Sequence, residues 1–196
     1  ERYTMDVAVV HGSGSGLIVV SSGTHGVEGY AGSAIQVQVL KELLENPVAK
    51  TVVLVHAVNP YGMAHFRRFN ENNVDLNRNA LLPEQLQTLA SKDSLHSTYM
   101  RFDGVFNPIR VPGSFYVHVG IWLHMGYNVL RYGLKALKTA LVAATYSQSK
   151  GIFHGGKELQ RSHVTLRDFM TSNFNEVPAS EVVWVDVHTG LGPCGV

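Results

Sequence analysis

Two spacings of apolar residues alternate along the chain. Short, mostly β-branched runs at Met5–Val10, Leu17–Val20 (Leu-Ile-Val-Val), Thr51–Val58 and Glu181–Val187 predict strands. The third run is almost wholly apolar, which indicates a strand covered on both faces, in a sheet sandwiched between helices. Between the strands the period changes. Tyr30 to Asn46 places Ala34, Val37, Leu40, Leu43 and Leu44 on one stripe and Lys41, Glu42 and Glu45 on the other, which predicts a helix packed on the sheet and stopped by Asn46-Pro47. Further helices are predicted over Pro83–Tyr99, Phe115–Gln148 and Glu158–Phe174. In the second of these, Leu130, Leu134, Leu137 and Leu141 recur at helical spacing and read as core packing.

The connections carry more polar chemistry. His11-Gly-Ser-Gly-Ser-Gly16 follows a strand but opens another strand, so it reads as a hairpin turn and not as a nucleotide loop. Asn59 to Asn79 is a long polar stretch with Arg67, Arg68 and Arg78 set among asparagines and the apolar Phe69, Val74 and Leu76; such loops in compact domains are usually functional. His56 reads as a satisfied core or sheet-end histidine and His154 as a surface one.

Composition narrows the classes. At 196 residues, 45% hydrophobic and 16% charged, the chain can bury a core as one domain spanning 1–196. A net charge of +1 with no dense Lys/Arg run gives no footprint for nucleic acid and no polybasic patch for anionic lipid, so neither nucleic acid nor membrane is an expected partner. The uncharged interval from Arg110 to Arg131 has the length of a span, but Pro112, Gly113, His118, His124 and Asn128 make it the entry to an amphipathic helix. Cys194 is the single cysteine, without a disulfide or thiolate-zinc partner, which fits a reducing, cytoplasmic setting.

The stretch Ser21-Ser-Gly-Thr-His25-Gly-Val-Glu28-Gly29 follows the second strand and puts an imidazole and a carboxylate three residues apart among glycines that let both turn inward. Two ligands hold zinc poorly. The best third is His188, at the end of the last strand, on the same face as Asp186. Two histidines and a glutamate leave a fourth position for water, the ligand set of catalytic zinc. Asp186 reads equally well as a strand-end carboxylate satisfied by backbone donors.

His-x-x-Glu alone is weak, and its company makes it specific. Gly-Thr-His25-Gly-Val-Glu28-Gly, Asn59-Pro60-x-Gly62, Arg68-x-Asn70, Val74-Asp75-Leu76-Asn77-Arg78-Asn79 and Asp186-x-His188-Thr189-Gly190 together resemble the zinc carboxypeptidase (M14) superfamily, in its DUF2817 branch. The resemblance runs from about residue 20 to the C-terminus. It implies an α/β fold with a three-layer mixed sheet flanked by helices, one Zn2+ held by His25, Glu28 and His188, Arg68 on the oxyanion, Asn77 and Arg78 on the substrate carboxylate, and Asp75 on the ring N–H of His25. The family's general-base glutamate and capping tyrosine would lie beyond Val196, leaving the fold incomplete at the C-terminus and this portion alone inactive; Glu71, Glu158 and Glu181 are not assigned to the base. The implied activity is zinc-dependent hydrolysis of a peptide or amide bond next to a free carboxylate. Rivals are removal of an acyl group from an N-acyl amino acid, as in aspartoacylase and succinylglutamate desuccinylase, and a non-catalytic zinc- or carboxylate-binding module.

Overall fold

A computed structural model describes residues 2–190. The fold is mixed α/β, with a four-stranded mixed sheet and eight α-helices among the described residues. The chain divides into a unit formed by residues 1–72 and 160–196 and a second formed by residues 73–159. Cys194 and the rest of 191–196 lie outside the described residues.

The first unit holds the sheet: β1 (Asp6–Val10), β2 (Leu17–Ser22), β3 (Thr51–His56) and β4 (Val182–Val187) in the order β1-β3-β2-β4. β3 is parallel to β2 and antiparallel to β1, and β2 is also parallel to β4. The apolar run of β3 accounts for its interior place, since Val52 to Val55 are all buried. That place overturns the hairpin expected at residues 11–16, because β3 lies between β1 and β2. The glycine-rich segment instead passes the start of β3, where Gly14 N–H donates to the Ala49 carbonyl (2.8 Å) and Gly12 N–H to Thr51 Oγ1 (3.2 Å). A Cβ on Gly12 would stand 2.1 Å from the Ala49 oxygen.

Helix α1 (Gly29–Glu45) packs on β2 and β3, with only Leu40 and Leu43 of the stripe its sequence suggested. Ala34, Val37 and Leu44 face out, and the inward row is Gly32, Gln36 and Leu43, with Leu40 half-buried. Two residues set this rotation. Gly32 lets the helix approach Ser22, whose Cβ a side chain would meet at 2.4 Å. The buried Gln36 amide donates to the carbonyls of Val20 (2.8 Å) and Val55 (2.9 Å), and its oxygen accepts from Ser22 Oγ (3.1 Å). Leu43 joins Val52 and Leu54 in the core, against Val10, Ile18 and Val20. The stretch expected to be one long loop contains helix α2 (Pro60–Ala64) and a 3-10 turn at Leu76–Arg78. The last helix of this unit is α8 (Arg161–Phe174).

The second unit is helical. The expected helix over 83–99 is two, α3 (Pro83–Ala90) and α4 (Asp93–Met100), followed by the short α5 (Asp103–Phe106). The expected helix over 115–148 is a π-helical turn at Tyr116–Gly120, α6 (Ile121–Tyr132) and α7 (Leu134–Val142), broken at Gly133, whose φ of 86° favours glycine. α7 packs on α4. The leucine stripe is not all core, because Leu130 and Leu134 are exposed. No described helix is long and apolar enough to cross a membrane.

His154 is buried in this unit, not on its surface, and its Nδ1 lies 3.1 Å from the Thr145 carbonyl. Burial lowers its pKa, the Thr145 contact opposes this, and Lys157 adds to the lowering. A depressed histidine pKa favours the neutral ring in the folded state, so its contribution to stability is complete above the ordinary histidine pKa and is lost as the pH falls through the lowered value. Urea midpoints measured across this range should fall more steeply for the native chain than for His154→Gln. Parallel curves would show that His154 does not couple folding to pH.

Candidate metal centre

The candidate centre is built where two parallel strands end side by side. The register pairs Ser21 with Asp186 and Ser22 with Val187, so the segment leaving β2 and the segment leaving β4 emerge together. After β2 the chain turns at Gly23 (φ 68°), where a Cβ would meet Ala57 Cβ at 2.7 Å, and His25 leads into a 3-10 turn, Gly26–Glu28. The turn carries Glu28 back toward His25, with Glu28 N–H on the His25 carbonyl at 2.9 Å.

Glu28 is the centre of the group. Its Oε1 lies 3.2 Å from His25 Nδ1 and its Oε2 lies 3.0 Å from His188 Nδ1, while the Thr189 N–H donates to Oε2 at 3.0 Å. The side chains of His25 and Glu28 are 5% and 10% exposed and that of His188 is 30% exposed, so the group opens on the His188 side. Burial pushes the Glu28 pKa up, but the Thr189 amide, the charge of His25 and the two imidazole contacts outweigh it and hold the carboxyl below its ordinary value. One donor atom from each of His25, Glu28 and His188 falls within 4.8 Å of the others, a grouping that could hold a metal ion. The donor set suits zinc, and both imidazoles turn Nδ1 toward the carboxylate.

The remaining His188 nitrogen is engaged as well. Nε2 sits 2.8 Å from Asp186 Oδ2, and Asp186 Oδ1 accepts from Ser21 Oγ (2.7 Å) and Thr24 Oγ1 (3.1 Å). Trp184 Nε1 donates to Ser21 Oγ at 2.9 Å. Asp186 is therefore held by side-chain hydroxyls and an imidazole, not buried on backbone donors. Ser21, Thr24 and Trp184 carried no signal in the sequence, because their meeting depends on the register of strands about 160 residues apart in the chain.

Arg68 lies in the same unit as this group. Its carbonyl accepts from the Nδ2 of the fully buried Asn59 (3.2 Å), whose Oδ1 caps α2 through Gly62 N–H (2.8 Å). The neighbouring Arg67 carbonyl accepts from Val27 N–H (3.0 Å), which ties this segment to the turn that carries Glu28. Asp75, Asn77 and Arg78 belong to the second unit. There the buried Asp75 caps the turn that follows it by accepting from Asn77 N–H (3.1 Å), Asn77 is exposed, and the Arg78 carbonyl accepts from Tyr146 Oη (2.8 Å). Among the described residues, Arg78 Nε is buried with no hydrogen-bond partner. His56 Nδ1 is in the same position, so this sheet-end histidine is not the satisfied one expected.

The family described as "Protein of unknown function (DUF2817)" matches residues 1–196. No curated protein matches the chain, and no solved structure does.

The turn beneath Glu28 depends on close backbone approach, since a Cβ on Gly26 would stand 2.1 Å from Gly62 C and 2.2 Å from Met63 N. Gly26→Ala should destabilise the fold by roughly 1–3 kcal/mol in denaturant titration, because backbone atoms must move apart to admit the methyl group. A change below about 0.5 kcal/mol, the usual size of a neutral surface substitution, would show that α2 yields freely.

Proposed function

We propose, from the premise that the chain belongs to the DUF2817 family, that it is a zinc-dependent amide hydrolase of the M14 carboxypeptidase type, with His25, Glu28 and His188 as the ligands of one Zn2+. The observation that carries the reading is the convergence of two Nδ1 atoms on the two oxygens of one carboxylate, joined from opposite ends of the chain. When bound, zinc supplies an acidified water and polarisation of the scissile carbonyl.

The rest is work for the protein's own side chains. Asp186 accepts the Nε2 proton of His188, which leaves Nδ1 as the lone-pair nitrogen facing Glu28 and fixes the ring in that orientation. Ser21 and Thr24 saturate the other Asp186 oxygen and keep it from rotating away. Arg68 is the proposed partner of developing negative charge on the substrate oxygen. Asn77 and Arg78 are proposed to take the substrate's free carboxylate.

Zinc content by elemental analysis and equilibrium binding of peptides and of N-acyl amino acids test the reading together. The chain should bind about one zinc, His188→Ala should lose it, and Arg78→Ala should retain it while weakening capture of carboxylate-bearing ligands. Equal metal loss in both variants would contradict these roles, and binding confined to N-acyl amino acids would assign the site to deacylation instead. Asp186→Ala should weaken zinc binding about 10–100-fold in competition with a chromophoric chelator, the usual effect of removing the partner that orients a ligating imidazole. Unchanged affinity would show that His188 needs no such support.

A further inference from the structure

Helix α6, with the π-helical turn before it, is amphipathic in the reverse sense. The side chains that recur every four residues and face its own unit are polar: Tyr116 Oη lies 2.9 Å from His124 Nδ1, Asn128 is buried, and the Tyr132 ring packs edge-on to Phe102 at 5.9 Å and beneath the Arg101 guanidinium at 5.5 Å. The opposite face is apolar and open. Phe115 is 75% exposed, Trp122 73%, Leu123 67%, Tyr127 57% and Leu130 90%, at positions that fall on one side of a helix. A continuous apolar face turned to the outside, with aromatic residues along it, marks a surface that meets something.

Charge identifies what it meets. Residues 104–157 contain no Asp or Glu, and their charged side chains are Arg110, Arg131, Lys135, Lys138, Lys150 and Lys157. The whole-chain charge of +1 conceals this, because all 15 acidic residues lie outside the interval. Arg110, Arg131, Lys135 and Lys138 are exposed and flank the apolar face in sequence, and Arg131 Nη1 donates to the Tyr127 Oη on that face (3.4 Å). A second copy of this face would set like charge against like charge. An anionic bilayer satisfies both features, since the aromatic and leucine side chains enter the headgroup boundary while the basic residues lie against lipid phosphate and carboxylate. We propose that the α6 face is an interfacial membrane-binding surface selective for anionic lipid, on which the helix lies in the plane of the bilayer without crossing it. The composition of the chain as a whole suggests no lipid contact, and the proposal departs from that expectation for this segment on the distribution of its charges.

The test is co-sedimentation of the full 196-residue chain with vesicles of phosphatidylcholine alone and of phosphatidylcholine mixed with phosphatidylserine. Tryptophan quenching by brominated acyl chains is read in parallel. The chain should bind the mixed vesicles and not the neutral ones, release in high salt, and show quenching that disappears in Trp122→Phe. Lys135→Glu/Lys138→Glu and Leu123→Asp/Leu130→Asp, all at exposed positions, should each weaken binding about tenfold or more with unchanged circular dichroism. Absence of binding, equal binding to both vesicle types, or indifference to the charge reversals would overturn the proposal. So would self-association in sedimentation equilibrium that Leu123→Asp/Leu130→Asp abolishes without any vesicle binding, which would make a second copy the occupant.

Discussion

The parallel pairing of β2 with β4 is the constraint on which the rest depends. It joins residues about 160 apart in sequence and sets Ser21 beside Asp186, so that two chain segments leave the sheet from adjacent points. Side chains alternate along a strand, and a slip of one residue would turn Asp186 away from Ser21 and His188 away from Glu28 in a single step. Buried apolar residues hold β2 to β3, whereas β4 is half exposed, and side-chain bonds beside its ladder, Trp184 Nε1 to Ser21 Oγ and Ser21 Oγ to Asp186 Oδ1, accompany its alignment with β2.

The elements that a local signal specifies were legible in advance. All four strands are where their β-branched runs placed them, and the grouping of His25 with Glu28 and His188 followed from two strand ends carrying ligand-type residues. What the sequence did not reveal depends on long-range arrangement. Strand order was misread at residues 11–16 because a glycine-rich turn fixes where a strand ends, not which neighbour it joins. The expected face of helix α1 is right at Leu40 and Leu43 and wrong at Ala34, Val37 and Leu44, because apolarity alone omits two features that set its rotation, a glycine that admits close approach and an amide that reaches two strands. His154 was placed on the surface because loop histidines usually are, and only the fold shows the Thr145 carbonyl waiting for its ring.

The same contrast separates the two units. In the first, polar groups near the strand ends are satisfied by one another: Trp184 donates to Ser21, Ser21 and Thr24 donate to Asp186, and the Nε2 of His188 lies against the other Asp186 oxygen. Such a chain of bonds rigidifies every member, because each acceptor is already committed. In the second, the polar atoms of Tyr116, His124 and Asn128 are drawn inward and apolar surface is left outside, the opposite partition of the same two kinds of side chain.

Gln36 has a consequence for how this sequence can drift. Its amide ties one helix to two strands at once, so its replacement by a leucine of similar reach would take that donor from the Val20 and Val55 carbonyls. Ile35, Val37 and Leu44, by contrast, stand in solvent. Among related chains the variable positions of α1 should therefore include these exposed apolar ones, while a glutamine is held as firmly as the core Leu43, a ranking that a hydrophobicity profile would not single out.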